Sequence, residues 1–206
     1  CFQGFIGWYM VSSGLVNRID VSHFRLSIHL LIAFIILSLI LWNYFNQKIV
    51  NKFNTKLNFF FPSVLLILIF CQITIGAFVS GLDAGKLYNT WPLMGFTYFP
   101  DDNNFINLFS LSAFSDPSLV QFIHRNLAYL ILIFYLFIFI KIYRLRLKNF
   151  FNVINLIGVL LFIQIALGVL TLISGAQILL ASMHQISSIF LVSLNIYFLY
   201  LNKKSN

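Results

Sequence analysis

Three of the four histidines in this 206-residue chain, His29, His124 and His184, fall inside long apolar runs. An ionisable side chain within a bilayer is costly and as a rule faces a cavity, a partner or a cofactor. Neutral imidazole is a standard axial ligand of heme iron. Two imidazoles at one depth on neighbouring helices clamp one iron from both faces, which gives a six-coordinate heme suited to electron transfer. His124 with His184 is the natural pair, whereas His29 finds no second histidine to pair with among these residues. The alternative for each is a polar side chain that hydrogen-bonds another helix. Gln121 lies one turn before His124 on the same face. There it contacts the macrocycle, orients the ligand, or bonds a neighbouring helix. Arg125 either snorkels outward as an interfacial anchor or pairs with a heme propionate. His23, between Arg18 and Arg25, reads as a solvated loop residue outside the site.

The elements that must position these histidines are membrane spans. With 60% hydrophobic and 9% charged residues, the composition excludes a water-soluble domain. A crossing helix needs roughly 20 apolar residues. Stretches 26–47, 57–82 and 118–140 qualify, and 149–202 suits two helices reversed at Ser174-Gly175. Residues 1–11 are apolar but too short to cross, and read as the last turns of a sixth helix. The expected fold is therefore all-α, a polytopic transmembrane bundle of five complete spans plus the tail of a sixth. The net charge of +8 is a topology signal rather than a nucleic-acid surface. Lys48, Lys52 and Lys56, then Lys141, Arg144, Arg146 and Lys148, then Lys203 and Lys204 all belong to one side of the membrane. All five acids, Asp20, Asp83, Asp101, Asp102 and Asp116, belong to the other. The basic side is cytoplasmic, or faces the matrix of a mitochondrion. The three apolar-run histidines each sit about two turns in from the acidic side, on spans that run in the same direction. The long loop 83–117, with Trp91-Pro92, Pro100 and Pro117, is expected to cap that outer face. Cys1 and Cys71 offer neither a loop disulfide nor a cysteine metal site.

The chain also repeats itself. Gln3-x-x-x-Gly7 followed by Ser13-Gly14 recurs as Gln164-x-x-x-Gly168 followed by Ser174-Gly175, and in both copies the next helix carries a histidine, His29 or His184. With a four-helix unit, 57–206 is the complete second copy and 1–56 the remnant of the first. Helices homologous to 57–82 and 118–140 are then expected before Cys1.

Several blocks resemble heme A synthase of the proteobacterial and mitochondrial branch. They include Gln3 to Val11, Ser13-Gly14-Leu15, Arg25-Leu26 with His29-Leu30, Gly76 to Val79, Gly81 to Gly85, Tyr88 to Met94, Val120 to Phe122 with His124-Arg125, and His184-Gln185. Tyr88-Asn89-Thr90-Trp91-Pro92-Leu93-Met94 is the most specific of them. The resemblance implies an oxidoreductase of two four-helix halves that converts a methyl group of heme O, its substrate, to the formyl group of heme A. It implies heme b as cofactor between His124 and His184, and His29 as a histidine of the substrate side. The implied setting is a bacterial or mitochondrial inner membrane, with heme O synthase and cytochrome c oxidase assembly factors as partners. An electron donor is also implied, without its identity, and a homo-oligomer is compatible with the resemblance. The family's substrate half carries a Glu-x-x-His-Arg motif, and this chain has no Glu. Gln121-x-x-His124-Arg125 keeps its spacing with an amide in place of the carboxylate. A polypeptide beginning at Cys1 is expected to keep the heme b half and to fail at catalysis.

Overall fold

The structure is a computed structural model that describes residues 1–14, 20–47 and 57–204. Six α-helices carry it: α1 (Phe2–Val11), α2 (His23–Asn46), α3 (Phe60–Gly81), α4 (Pro117–Arg144), α5 (Phe151–Ile173) and α6 (Ile178–Lys204). Among the described residues there is no β-strand, and five helices are long and apolar enough to cross a membrane. The expected spans are thus present, with shifted ends. α4 continues to Arg144 and α6 to Lys204, because cations favour a helix C-terminus and their aliphatic stems lie along apolar surface. Lys48, Lys52, Lys56 and Arg18 lie outside the described residues.

Local chemistry sets the helix ends. Asp116 caps α4 by accepting from the backbone N–H groups of Ser118 and Leu119, and Pro117 supplies the first helical position. α5 closes with paired bonds from Ala176 N–H to Thr171 O and from Gly175 N–H to Leu172 O. That closure needs a left-handed residue, and Gly175 provides it at φ +72°. The chain therefore reverses where Ser174-Gly175 is expected to turn it. α4 ends by the same pattern, with Leu147 N–H on Ile142 O and Arg146 N–H on Tyr143 O.

The helices pack as three consecutive hairpins, α1–α2, α3–α4 and α5–α6, and α2 also lies against α3 and α6. Within α3 to α6 the neighbours form a ring, α3–α4, α4–α5, α5–α6 and α6–α3. α4 and α6 stand on its diagonal and barely touch. The basic ends share one end of the bundle: Leu57 N–H donates to Asn202 Oδ1, and Lys203 Nζ lies 4.9 Å from the Trp42 ring centroid. There the core is filled by Ile138, Ile142, Phe150, Ile154, Phe198 and Tyr200, all inaccessible to solvent. At the acidic end the buried cluster is small, made of Ile75, Phe78 and Val120.

One expectation is overturned here. His23 is not a solvated loop residue but the first residue of α2, with its ring 5.5 Å from that of Phe78 and its backbone against Gly81. Gly81 has no Cβ, so α2 and α3 approach closely at that point and bury the Nε2 of His23.

Candidate heme-binding site

His29, His124 and His184 each stand about two turns inside α2, α4 and α6, roughly 10 Å from the start of the helix at 1.5 Å per residue. Each imidazole lies against the preceding helix of its own hairpin, and the three settings are built alike. The Gln3 Nε2 donates to the backbone carbonyl of His29 (3.0 Å), that of Gln72 to His124 O (3.0 Å), and that of Gln164 to His184 O (2.9 Å). The same amide nitrogens reach the rings, at 3.3 Å from His29 Nδ1, 3.2 Å from His124 Nε2 and 3.4 Å from His184 Nε2. One turn further along sits a glycine. A methyl group on Gly7, Gly76 or Gly168 would stand 3.1 Å from Cε1 of the facing imidazole.

Gln3, Gly7, Gln164 and Gly168 stand out in the sequence as marks of a repeat, Gln3, Gly7 and Gly76 also fall within blocks of family resemblance, and Gln72 does not stand out at all. The available signal is a third Gln-x-x-x-Gly at 72–76. It shows that the repeating contact belongs to a two-helix hairpin.

His124 and His184 occupy the diagonal helices α4 and α6. His184 Nδ1 lies 3.0 Å from Gln164 O. A carbonyl only accepts, so Nδ1 carries the proton and Nε2 keeps its lone pair. His124 Nδ1 is buried without a partner. Three further buried polar atoms around it also lack partners: Gln72 Oε1, Gln121 Oε1 and Arg125 Nε. Buried polar atoms are nearly always paired, so such a concentration marks a place where another polar or metal-bearing group belongs. A heme iron fits this donor set, which offers imidazoles on two diagonal helices that make little contact with each other. His29 stands apart, in the cradle of the α1–α2 hairpin.

Gln121 and Arg125 turn toward the loop. Gln121, 2% exposed, donates to Tyr88 O. Arg125 donates from Nη1 to Thr90 O (2.9 Å) and Leu93 O (3.2 Å), and from Nη2 to Tyr88 O (2.8 Å). Its terminal nitrogens thus pin the Tyr88–Leu93 segment over the outer end of α4. Asn89 ties the same segment to α5 through Leu172 O, and the Trp91 indole donates to the Tyr129 hydroxyl. Tyr88 donates its hydroxyl to Asp101, and burial first, then the Asp101 and Asp102 carboxylates, push that phenol up to about 12. Partial burial acts to raise the Asp116 carboxyl, but the hydrogen bonds from Leu119, Ser118 and Asn103 outweigh it and hold the group below its ordinary value.

An all-helical bundle of membrane-length spans, with an imidazole about two turns inside three of them, defines a polytopic membrane protein with intramembrane histidines. Comparison with known sequences makes the assignment narrower. The family model described as "Cytochrome oxidase assembly protein" matches residues 1–196, and the chain belongs to that family. It is 48% identical over 210 residues to the heme A synthase of Pelagibacter ubique (strain HTCC1062), covering 100% of this chain and 60% of that protein. It is 41% identical over 212 residues to that of Rickettsia bellii (strain RML369-C), covering 100% of this chain and 62% of the relative. With that of Rickettsia africae (strain ESF-5) it shares 36% identity over 210 residues, again 100% and 62% of the two chains. The chain thus spans about three fifths of the length of these relatives. No solved structure matches it.

Proposed function

We propose that this chain is part of a heme A synthase, an oxidoreductase that converts a methyl group of heme O to the formyl group of heme A for cytochrome c oxidase. In this reading residues 57–206 hold heme b between His124 and His184. Residues 1–56 belong to the half that receives heme O, with His29 as a substrate-side histidine. When bound, heme b supplies one-electron redox chemistry. The protein's own part is to present two neutral imidazoles and to keep water away. His184 does so with Nδ1–H on the Gln164 carbonyl and Nε2 unprotonated, and His124 with one ring nitrogen buried and unpartnered. Gln121 and Arg125 complete the site by fastening the Tyr88–Leu93 segment above it. An amide at position 121 cannot take up a proton as a carboxylate can, which suits a half that handles electrons.

The observation that carries this reading is the group of unpartnered buried atoms at His124 on α4, with His184 about two turns inside the diagonal helix α6. The relatives' shared name directs it to the synthase reaction. Heme O synthase and oxidase assembly factors are the partners this activity needs, together with an electron donor. The setting is a bacterial or mitochondrial inner membrane, with the basic ends on the cytoplasmic or matrix side.

The test uses the full-length protein in membranes given heme O and a reductant, with the extracted porphyrins analysed. Heme A is expected from the wild type. His124→Ala and His184→Ala are each expected to abolish the bis-imidazole absorption spectrum and the product. Heme O recovered unaltered from the wild type would reject the synthase reading and leave a membrane cytochrome. An unchanged spectrum in both variants would reject the histidine pair.

A further inference from the structure

We infer that Gln-x-x-x-Gly on the first helix of each hairpin is a positioning device that fixes the rotation and depth of the imidazole on the second. Gln72 and Gly76 act on His124, and Gln164 and Gly168 act on His184. The inference rests on the reading that these two histidines hold a heme. Its basis is the threefold recurrence of one contact set in hairpins whose remaining sequence differs.

The physical need is specific. The Cβ–Cγ torsion of histidine joins an sp³ to an sp² atom and has only broad preferences, so the ring plane must be chosen by its surroundings. Glycine at the facing position lets the ring lie against bare helix backbone, where a Cβ would meet Cε1 at 3.1 Å. The glutamine amide, one turn away on the same face, then fixes the register of the two helices by donating to the histidine's own carbonyl.

The two positions are not equivalent. Gln164 also gives its backbone carbonyl to His184 Nδ1–H, and its Oε1 accepts from the Ser187 hydroxyl. Neither of these contacts is made at His124. A hydrogen bond from the outer ring nitrogen fixes the tautomer and raises the basicity of a metal-bound imidazole. His184 is therefore the better-oriented and more basic ligand of the pair.

The relative rotation of two axial imidazole planes sets the splitting of the iron d orbitals, so electron paramagnetic resonance of the ferric protein reads it directly. The experiment takes the full-length, heme-loaded protein with Gly76→Ala, Gly168→Ala, Gln72→Met or Gln164→Met. Phe162→Leu serves as control, because that ring is 73% exposed on the same helix as Gln164. The cradle variants are expected to move the largest g-value and to weaken heme retention by about 10–100-fold, the usual effect of losing a partner of a metal ligand. Gln164→Met is expected to shift more than Gln72→Met, and Phe162→Leu not at all. The methionine variants keep side-chain length and an apolar surface, so they report even where an added methyl prevents accumulation. Wild-type g-values and full heme retention in both methionine variants would overturn the inference. His184→Ala in parallel separates the two levels. A spectrum unaffected by that change sinks the heme reading itself, whereas its loss, with silent cradle variants, sinks only the positioning role.

Discussion

A guanidinium two turns inside a membrane helix must find acceptors, and Arg125 finds three in the carbonyls of Tyr88, Thr90 and Leu93. Lysine has a single compact ammonium and cannot reproduce that fork. Arg125→Lys is expected to release at least one charge-assisted bond, about 1.5–3 kcal/mol. The opened population of the loop then rises on the order of tenfold or more, read as faster limited proteolysis between Phe96 and Phe105. At this scale the chemistry-bearing residues were legible in part. His29, His124 and His184 stand out because a titratable group in an apolar run is expensive wherever it points. Gln72 does not, since an amide in such a run is ordinary helix-to-helix bonding until its facing residue is known. His23 misleads for the same reason. Its burial is decided by Gly81, far away in sequence, which lets two backbones close on it.

Helices in this chain are dictated by apolar length, so their existence was legible and their ends less so. The ends depend on capping, and the Asp116 cap of α4 tests this. Asp116→Ala removes the acceptor for Ser118 and Leu119 and is expected to cost about 1 kcal/mol, measured as a lowered melting temperature of the detergent-solubilised protein. The pH dependence follows from the depressed carboxyl. The folded state holds the charged form more tightly than the unfolded chain does. The contribution is therefore complete above the unfolded value of about 3.9 and lost as pH falls through the lower folded value. The wild type and Asp116→Ala should accordingly converge in stability only under strongly acidic conditions. Convergence already near neutrality would remove the cap from the account. The hairpin as repeating unit was not legible at this level. The longer Gln-Gly-Ser-Gly match pairs α1 with α5 and passes over α3, where the serine and glycine fall closer to the glutamine. Only the shared placement of His124 against Gln72 and Gly76 restores α3–α4 to the series.

Across the whole molecule, charge divides as the sequence requires, with Leu57, Asn202, Lys203 and Trp42 gathered at one end and the Asp-bearing loop at the other. Which helices lie diagonal to one another was not legible, because apolar faces of similar composition carry no instruction about neighbours. The same division extends to how firmly the interior is filled. Ile138, Ile142, Phe150, Phe198 and Tyr200 interlock at the basic end, while at the acidic end Ile75, Phe78 and Val120 form a smaller cluster, with Ala84, Met94, Ala113 and Leu119 buried where the loop covers α4. A bundle filled more completely at one pole should be stiffer there, even though the Tyr88–Leu93 segment ties α4 to α5 at the other. Amide deuteration should therefore proceed slowly around 138–157 and faster along the outer turns near 75–80 and 178–184, with porphyrin saturation slowing the second group alone. Such compliance would let a flat, rigid guest slip sideways between α4 and α6 without loosening the joint that keeps them in register.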